Sequence, residues 1–535
     1  MRPTSTLGIW LFLGVLWLSS LPLRPLFDPD EGRYAEIPRE MVASGDWLTP
    51  HLNGLKYFEK PPLQYWATAA AYEIFGVHEW SARLWATLLA FLCVPMVYLF
   101  AVRIGFTREA ALVGAGLLAV NPYFALMGQL NLLDQGLTFF LCLAVFAFAL
   151  AQRAQNAPAT TRNYMLVTWA ALGLAVLSKG IVAPVLTGGT LVLYMVICRD
   201  ASPLKRLHLL AGLPLFLLIT VPWFWLVQQR NPEFAQFFFV HEHFQRFVNH
   251  GKEHAEAWWY FVPILLISLL PVIWNVRRWR LEPAPVPRGF QVERFLLVWC
   301  AVVLVFFSLS SSKLASYIMP MMPPLAVLLA RVTAAQASAF RRAKFTAMIF
   351  VVLGAIAFVV ISRKQSGVLP SGTLGWALSA CGLYGLALFY LKGVSDSDLE
   401  KRWVTLAATS IAAFQCLSMS YAASYPGRSG ATLAAQLRPR LAPDTHLYAV
   451  NQYRHSLSWY LGREFRIYEY SGELAFGMQH ADDAGPWDRA QFLASWQREA
   501  DAVAVIASDV YPELQAAGLP GTIVARDARS IVVSR

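Results

Sequence analysis

The chain has 535 residues, 57% of them hydrophobic and 14% charged, and its mean hydropathy is +0.46. That is too little charge to clothe a soluble protein of this length. The formal charge of +11 is spread over short loops rather than gathered in a patch, which argues against nucleic acid as a partner and fits orientation in a membrane.

Apolar runs long enough to cross a hydrocarbon core recur along the sequence, and in lipid such runs must be helices because no water satisfies an open backbone. In chain order they are Leu7–Leu26, Ser81–Val102, Ala110–Met127, Gln135–Ala151, Tyr164–Leu177, Ile181–Ile197 and His208–Val227. They continue with Trp258–Trp274, Phe295–Leu309, Tyr317–Leu329, Phe345–Ile361, Leu374–Tyr390 and Trp403–Tyr421, about thirteen spans. The first run follows Arg2 and reaches Asp28 with no small-residue cleavage site, so it reads as an uncleaved span. The six cysteines sit in or beside apolar runs, and no disulfide framework is expected.

With the N-terminus in the cytoplasm, every inner loop is basic, from Arg103 and Arg108 through Arg199, Lys205 and Arg206 to Lys392, Lys401 and Arg402. The alternate, outer loops are mixed or acidic. Three outer segments are longer than connections require: residues 27–80, 228–257 and 422–535. The first holds two amphipathic stretches, Ala35–Ser44 and Pro62–Phe75, suited to the membrane interface. The last alternates short β-type runs (His446–Val450, Phe465–Tyr470, Ala502–Ile506, Thr522–Ala525, Ser530–Val533) with the helical stretches Gly430–Leu437 and Asp488–Glu499. The expected organisation is a transmembrane domain over residues 1–424 and a soluble α/β domain over 425–535 outside the membrane.

The chemically loaded residues fall in the outer segments. Asp28-Pro29-Asp30-Glu31-Gly32-Arg33-Tyr34 follows the first span, and its acids suit the start of a helix as well as they suit a site. Lys56-Tyr57-Phe58-Glu59-Lys60-Pro61-Pro62 adds a carboxylate and two ammonium groups, for which anchoring to lipid headgroups is the rival account. Asp134 opens an apolar run, where helix capping competes with a functional role. Lys179 sits at the tip of a helical hairpin, where it can snorkel to headgroups. His241-Glu242-His243, with Arg246, lacks the helical spacing of a zinc motif, and Ser310–Ser312, Lys313 and Tyr317 form a polar turn before Pro320. Random caps would divide between the two faces; these lie on one. Cations there can hold a phosphate and neutralise a phosphate leaving group, while a carboxylate can orient an acceptor or bind a metal.

Asp30-Glu31-Gly32-Arg33-Tyr34 resembles the first-loop signature of the GT-C glycosyltransferases related to protein O-mannosyltransferases. Glu59-Lys60-Pro61-Pro62-Leu63, Asp134, Ser178-Lys179-Gly180, Glu242-His243-Phe244-Gln245-Arg246-Phe247 and Lys313-Leu314-Ala315-Ser316-Tyr317-Ile318-Met319-Pro320 extend the match over the whole chain. In that order they look most like the bacterial branch containing the lipid A aminoarabinose transferases. The resemblance implies an inverting transfer of a sugar from an undecaprenyl-phosphate-linked donor to an acceptor at the outer face of the bacterial inner membrane, the acceptor being a lipid A phosphate in the aminoarabinose enzymes. It implies Asp30 as principal catalytic carboxylate, supported by Asp134. Arg33, Lys60 and Lys179 would hold donor phosphate, and Tyr34, Tyr57 and Tyr317 would line the pocket, with Lys313 beside them. Glu59 and His243 match positions implicated in a divalent metal site, zinc or magnesium, although two ligands do not complete one. No nucleotide or redox cofactor is expected. Protein, glycan and other lipid acceptors stay open. A transporter is the rival from another class; it would favour repeated halves and ionisable groups within spans, whereas the sequence has no convincing internal repeat and its charges gather in outer loops rather than mid-span. A scaffold or receptor would leave the Asp30 and Lys60 clusters idle.

Overall fold

The computed structural model describes residues 3–154, 157–245, 256–269, 289–334, 337–366, 371–395, 397–481, 485 and 487–535. Its contacts divide the chain into two compact units. One comprises Met1–Ser20, Glu59–Gln64 and Trp85–Tyr421; the other comprises Leu21–Phe58, Tyr65–Leu84 and Ala422–Arg535. Most of the first long outer segment thus joins the C-terminal domain in one unit.

Among the described residues, nine helices are long and apolar enough to cross a membrane, including Glu79–Arg103, Asp134–Arg153, Leu209–Arg230 and Leu399–Ser424, and Val182–Cys198 is a shorter apolar helix. The protein is a multi-pass helical membrane protein. Large apolar side chains such as Leu210, Leu218 and Trp225 stand fully or largely exposed, as lipid-facing residues do. Inside, Trp17, Phe124, Tyr194 and Trp299 are buried in one continuous core.

Two expected spans are interrupted. Ala110–Met127 is two helices, Arg108–Ala119 and Pro122–Met127. The break falls where the Asn121 side chain accepts the Phe124 N–H at 3.0 Å and Pro122 supplies no donor. Tyr317–Leu329 begins as the 3-10 turn Ala315–Met321 before the Met322–Ala334 helix, because Pro320, Pro323 and Pro324 remove backbone donors there. The end of the expected Trp258–Trp274 span, Arg246 and the side chain of His243 lie outside the described residues.

In the second unit a helix, Asp30–Ser44, leads into a hairpin of β1 (His51–Leu52) and β2 (Leu55–Lys56), and a further helix covers Leu63–Phe75. The C-terminal part is a five-stranded mixed sheet: β3 (His446–Val450), β4 (Arg466–Tyr468), β5 (Ala502–Ala507), β6 (Thr522–Arg526) and β7 (Ser530–Ser534), in the order β4-β3-β5-β7-β6. β3 runs parallel to β4 and β5, and β7 antiparallel to β5 and β6. Every residue of β5 is buried, which explains its unbroken apolar run. Phe492 and Trp496, from a helix opened by a capping box of Asp488 and Gln491, pack in the same core as Tyr448, Tyr468 and Ile506.

Candidate functional site

In the membrane unit, Asp134 occupies the first turn of its helix but does not cap it: the N-cap is Leu133, without a side-chain cap bond. The carboxylate instead pairs with Lys179, and its second oxygen accepts the Ser316 hydroxyl at 2.9 Å. Lys179 ends the Pro158–Lys179 helix, and Gly180 follows at φ 89°, a conformation that a side chain at this position would strain. With its side chain 13% exposed, Lys179 is not snorkelling; its ammonium lies 4.3 Å from the centroid of the Tyr317 ring. Asp134, Lys179, Ser316 and Tyr317 therefore form one cluster. Lys313 donates to the carbonyls of Ser310 at 2.6 Å and Glu256 at 2.9 Å, closing the turn that precedes Ser316.

A second group gathers around Lys60 in the same unit. Its ammonium donates to the Glu59 carbonyl at 2.8 Å and lies 3.3 Å from the Glu242 carboxylate and 3.9 Å from that of Glu59. Glu242 sits in the π-helical segment Gln236–Gln245, which also carries His243. Among the described residues no group of three or more His, Cys, Asp or Glu side chains assembles as metal ligands. The Glu59 carboxylate faces the Lys60 ammonium, and the side chain of His243 lies outside the described residues.

In the other unit, the Asp30–Ser44 helix separates two adjacent carboxylates by its turn of about 100° per residue. Glu31 points inward with its side chain 3% exposed, where Arg24 binds both oxygens at 2.6 and 2.9 Å and Arg83 Nε adds a bond of 2.9 Å. Burial by itself raises the Glu31 carboxyl, but the Arg24 and Arg83 guanidinium groups outweigh it and hold the group well below the usual carboxylate range. Asp30 points outward, 34% exposed, 3.9 Å from Arg33. Arg33 donates to the Tyr57 hydroxyl at 3.4 Å and stands 5.9 Å from the centroid of the Tyr34 ring, which neighbours that of Tyr65. Asp30, Arg33, Tyr34 and Tyr57 thus fall together.

Several residues in this unit escaped notice in the sequence. Glu473 lies 3.8 Å from Arg33 and contacts the His455 ring. Burial raises the Glu473 carboxyl, but His455 and then Arg33 overcome this and hold it below the usual range. Arg454 binds Asp28 at 2.7 Å and Asp527 at 3.1 Å. Deeper along the Asp30–Ser44 helix, Glu36 binds Arg39 through two bonds of 2.7 Å, while Glu40 accepts the N–H groups of Asn53 at 2.6 Å and Gly54 at 3.0 Å. Burial, with Glu36 nearby, pushes the Glu40 carboxyl up to about 8. Arg24 and Arg83 carried the one readable signal: ionisable groups in apolar runs require a partner, and Glu31 is the acid between them.

Two family models match: dolichyl-phosphate-mannose-protein mannosyltransferase over residues 7–238, and the aminoarabinose transferase C-terminal domain over residues 433–535. The chain is similar to undecaprenyl phosphate-alpha-4-amino-4-deoxy-L-arabinose arabinosyl transferases. One from Aeromonas salmonicida is 30% identical, with 92% of this chain and 91% of the relative covered. One from Sodalis glossinidius is 31% identical, with 89% and 88% covered. Among solved structures, ArnT from Cupriavidus metallidurans bound to undecaprenyl phosphate is 33% identical with a TM-score of 0.88, covering 100% of this chain and 98% of that one. The same protein in the apo state gives a TM-score of 0.84 at 31% identity, with the same coverage. With likeness extending over both the helical and the sheet parts, the chain belongs to the aminoarabinose arabinosyl transferase family of GT-C glycosyltransferases.

Proposed function

We propose that this glycosyltransferase moves 4-amino-4-deoxy-L-arabinose from undecaprenyl phosphate to a phosphate of lipid A, at the outer face of the bacterial inner membrane, with its N-terminus cytoplasmic. The observation that carries the reading is the full-length likeness, at a TM-score of 0.88, to a protein bound to undecaprenyl phosphate. In the transfer, an acceptor phosphate oxygen attacks the anomeric carbon while the bond from that carbon to the donor phosphate oxygen breaks. Undecaprenyl phosphate leaves with the electron pair, and configuration inverts. A phosphate acceptor is already ionised at neutral pH, so it needs positioning more than a base.

In this reading Asp30 is the principal catalytic carboxylate; its exposure leaves it accessible to a ligand, whereas Glu31 is committed to two arginines. Arg33, Lys60 and Lys179 hold donor phosphate and neutralise the charge that grows on it as it leaves. Asp134 orients Lys179, supported by Ser316. Tyr34, Tyr57 and Tyr317 supply apolar walls with a polar edge, and Lys313 fixes the turn that presents Ser316 and Tyr317. A metal held by Glu59 and His243 would need a further ligand, and no step here runs through one.

Mass spectrometry of lipid A from cells with and without the protein tests the assignment. The expected result is a mass gain matching aminoarabinose that depends on the protein and is lost with Asp30→Asn. Unchanged lipid A beside an altered glycan or glycoprotein would reject lipid A as the acceptor.

A further inference from the structure

The C-terminal sheet domain meets the Asp30 motif through two kinds of attachment. In one, buried Asp28 accepts from the Arg454 guanidinium and from the Ser456 N–H. Glu473 behaves differently. It lies 3.8 Å from Arg33, the residue that also approaches Asp30 and Tyr57.

Glu473 is itself held on both oxygens. The Tyr470 hydroxyl donates to Oε2 at 3.0 Å, and His455 Nε2 rests against Oε1. The His455 ring is 2% exposed, and the Tyr453 ring packs edge-on to it at 4.8 Å. A short turn, Gly472–Leu474, carries the acid, and Gly472 adopts φ 44° where that turn begins. The carboxylate is therefore fixed independently of Arg33.

A guanidinium that grips a phosphate does so through a planar fork, so its affinity depends on where the fork points. Arg33 lies between two carboxylates, one exposed at Asp30 and one enclosed at Glu473. The enclosed one is anchored by Tyr470 and His455 as well as facing Arg33, and it is suited to setting the direction of the fork.

We propose that Glu473, held by His455 and Tyr470, is a positioning residue that aims Arg33 at the phosphate of the polyprenyl donor, so that the C-terminal domain contributes to donor recognition. The inference rests on the reading that Arg33 holds donor phosphate.

The test is a double-mutant cycle on the full-length protein in detergent, with undecaprenyl phosphate as the probe. Its dissociation constant is measured for the wild type, Glu473→Gln, Arg33→Ala and the double variant. Glu473→Gln is expected to weaken binding about tenfold in the wild-type background and less than about twofold in the Arg33→Ala background. In parallel transfer assays the donor KM rises with kcat nearly unchanged. An equal loss in both backgrounds, wild-type affinity in Glu473→Gln, or a fall in kcat at unchanged donor KM overturns the proposal. If Glu473→Gln does not fold, His455→Gln takes its place in the cycle under the same expectations. Non-additive binding in a protein that transfers no aminoarabinose upholds the positioning role and rejects the substrate assignment instead; no binding of undecaprenyl phosphate to the wild type rejects both.

Discussion

The carboxylate of Asp28 accepts the backbone N–H of Ser456 at 2.7 Å, a bond between residues 428 positions apart in the chain. Ser456 lies in the first turn of the His455–Leu461 helix, whose own N-cap residue, Arg454, provides no capping bond. Asp28 thus caps that helix from the far end of the sequence, while its other oxygen binds Arg454 at 2.7 Å. Gly32 lets the two helices approach: a Cβ there would stand 2.4 Å from the Ser456 nitrogen, against rigid backbone.

Gly32→Ala is therefore expected to separate the Asp30–Ser44 helix from the C-terminal domain. Limited proteolysis should cut near residue 425 far faster than in the wild type, and activity should fall more than about tenfold, the cost of displacing positioned groups. Asp28→Asn is expected to be milder, costing about 2–4 kcal/mol by leaving Arg454 with less buried compensation. Protease resistance equal to the wild type in Gly32→Ala would refute this docking.

Adjacent carboxylates give opposite expectations. Asp30→Asn should keep the wild-type melting temperature and lose transfer by a factor of about 100 or more, as expected for a group that works at the reacting centre. Glu31→Gln should destabilise the protein by about 3–5 kcal/mol, since it leaves Arg24 and Arg83 buried without a full counter-charge. Melting curves and single-turnover rates on the two variants separate these roles. A stable Glu31→Gln protein would show that the two arginines find other partners.

Asp134 and Lys179 are expected to act as a unit. Either Asp134→Ala or Lys179→Ala alone leaves an uncompensated charge in a poorly exposed setting and should cut kcat/KM by about 100-fold, while the double variant should lose little more. If the losses multiply, Asp134 does more than hold Lys179. Lys179→Arg should not rescue activity fully, because a planar fork does not reproduce an ammonium placed over the Tyr317 ring.

Much of this fold is legible in the sequence because its signals are local. An apolar run of span length announces a helix wherever it packs, and the short β-type runs near His446, Ala502 and Ser530 announce strands before their partners are known. Asp30, Asp134 and Lys179 stand out as charged groups at or near the ends of apolar runs, and Lys60 as part of a charged, proline-stiffened cluster in the first outer segment. Glu473 and His455 give no such signal. They are ordinary polar residues of the C-terminal sheet domain, and their meaning comes from the approach of Glu473, held by His455, to Arg33, more than 400 positions away. The division of labour between Asp30 and Glu31 is hidden for the same reason: adjacent acids look alike until the helix turns one toward Arg24 and Arg83. The choice between a functional role and a helix cap for Asp134 is a different case, since the geometry that decides it is local, but the partner that claims its carboxylate, Lys179, is not.

Glu40 gives the last prediction, a dependence on pH. Its carboxyl is pushed up to about 8 by burial and by Glu36, against the opposing N–H groups of Gly54 and Asn53 and the charge of Arg39. A folded value above the unfolded one means that the folded state holds the proton longer. Its contribution to stability is complete below about pH 4.5 and is lost progressively as pH rises towards 8. The segment at risk is the β1–β2 turn, since Asn53 and Gly54 bond directly to this carboxylate. Hydrogen-exchange protection at those two amides, corrected for the intrinsic rate, should fall between pH 6 and 8 by up to about tenfold per pH unit, the limit for release of one proton. Glu40→Gln removes the titration and keeps a carbonyl acceptor for one of the two amides, so its protection should start lower but stay level across the same range. Parallel decline in the variant and the wild type would place the pH sensitivity in another group.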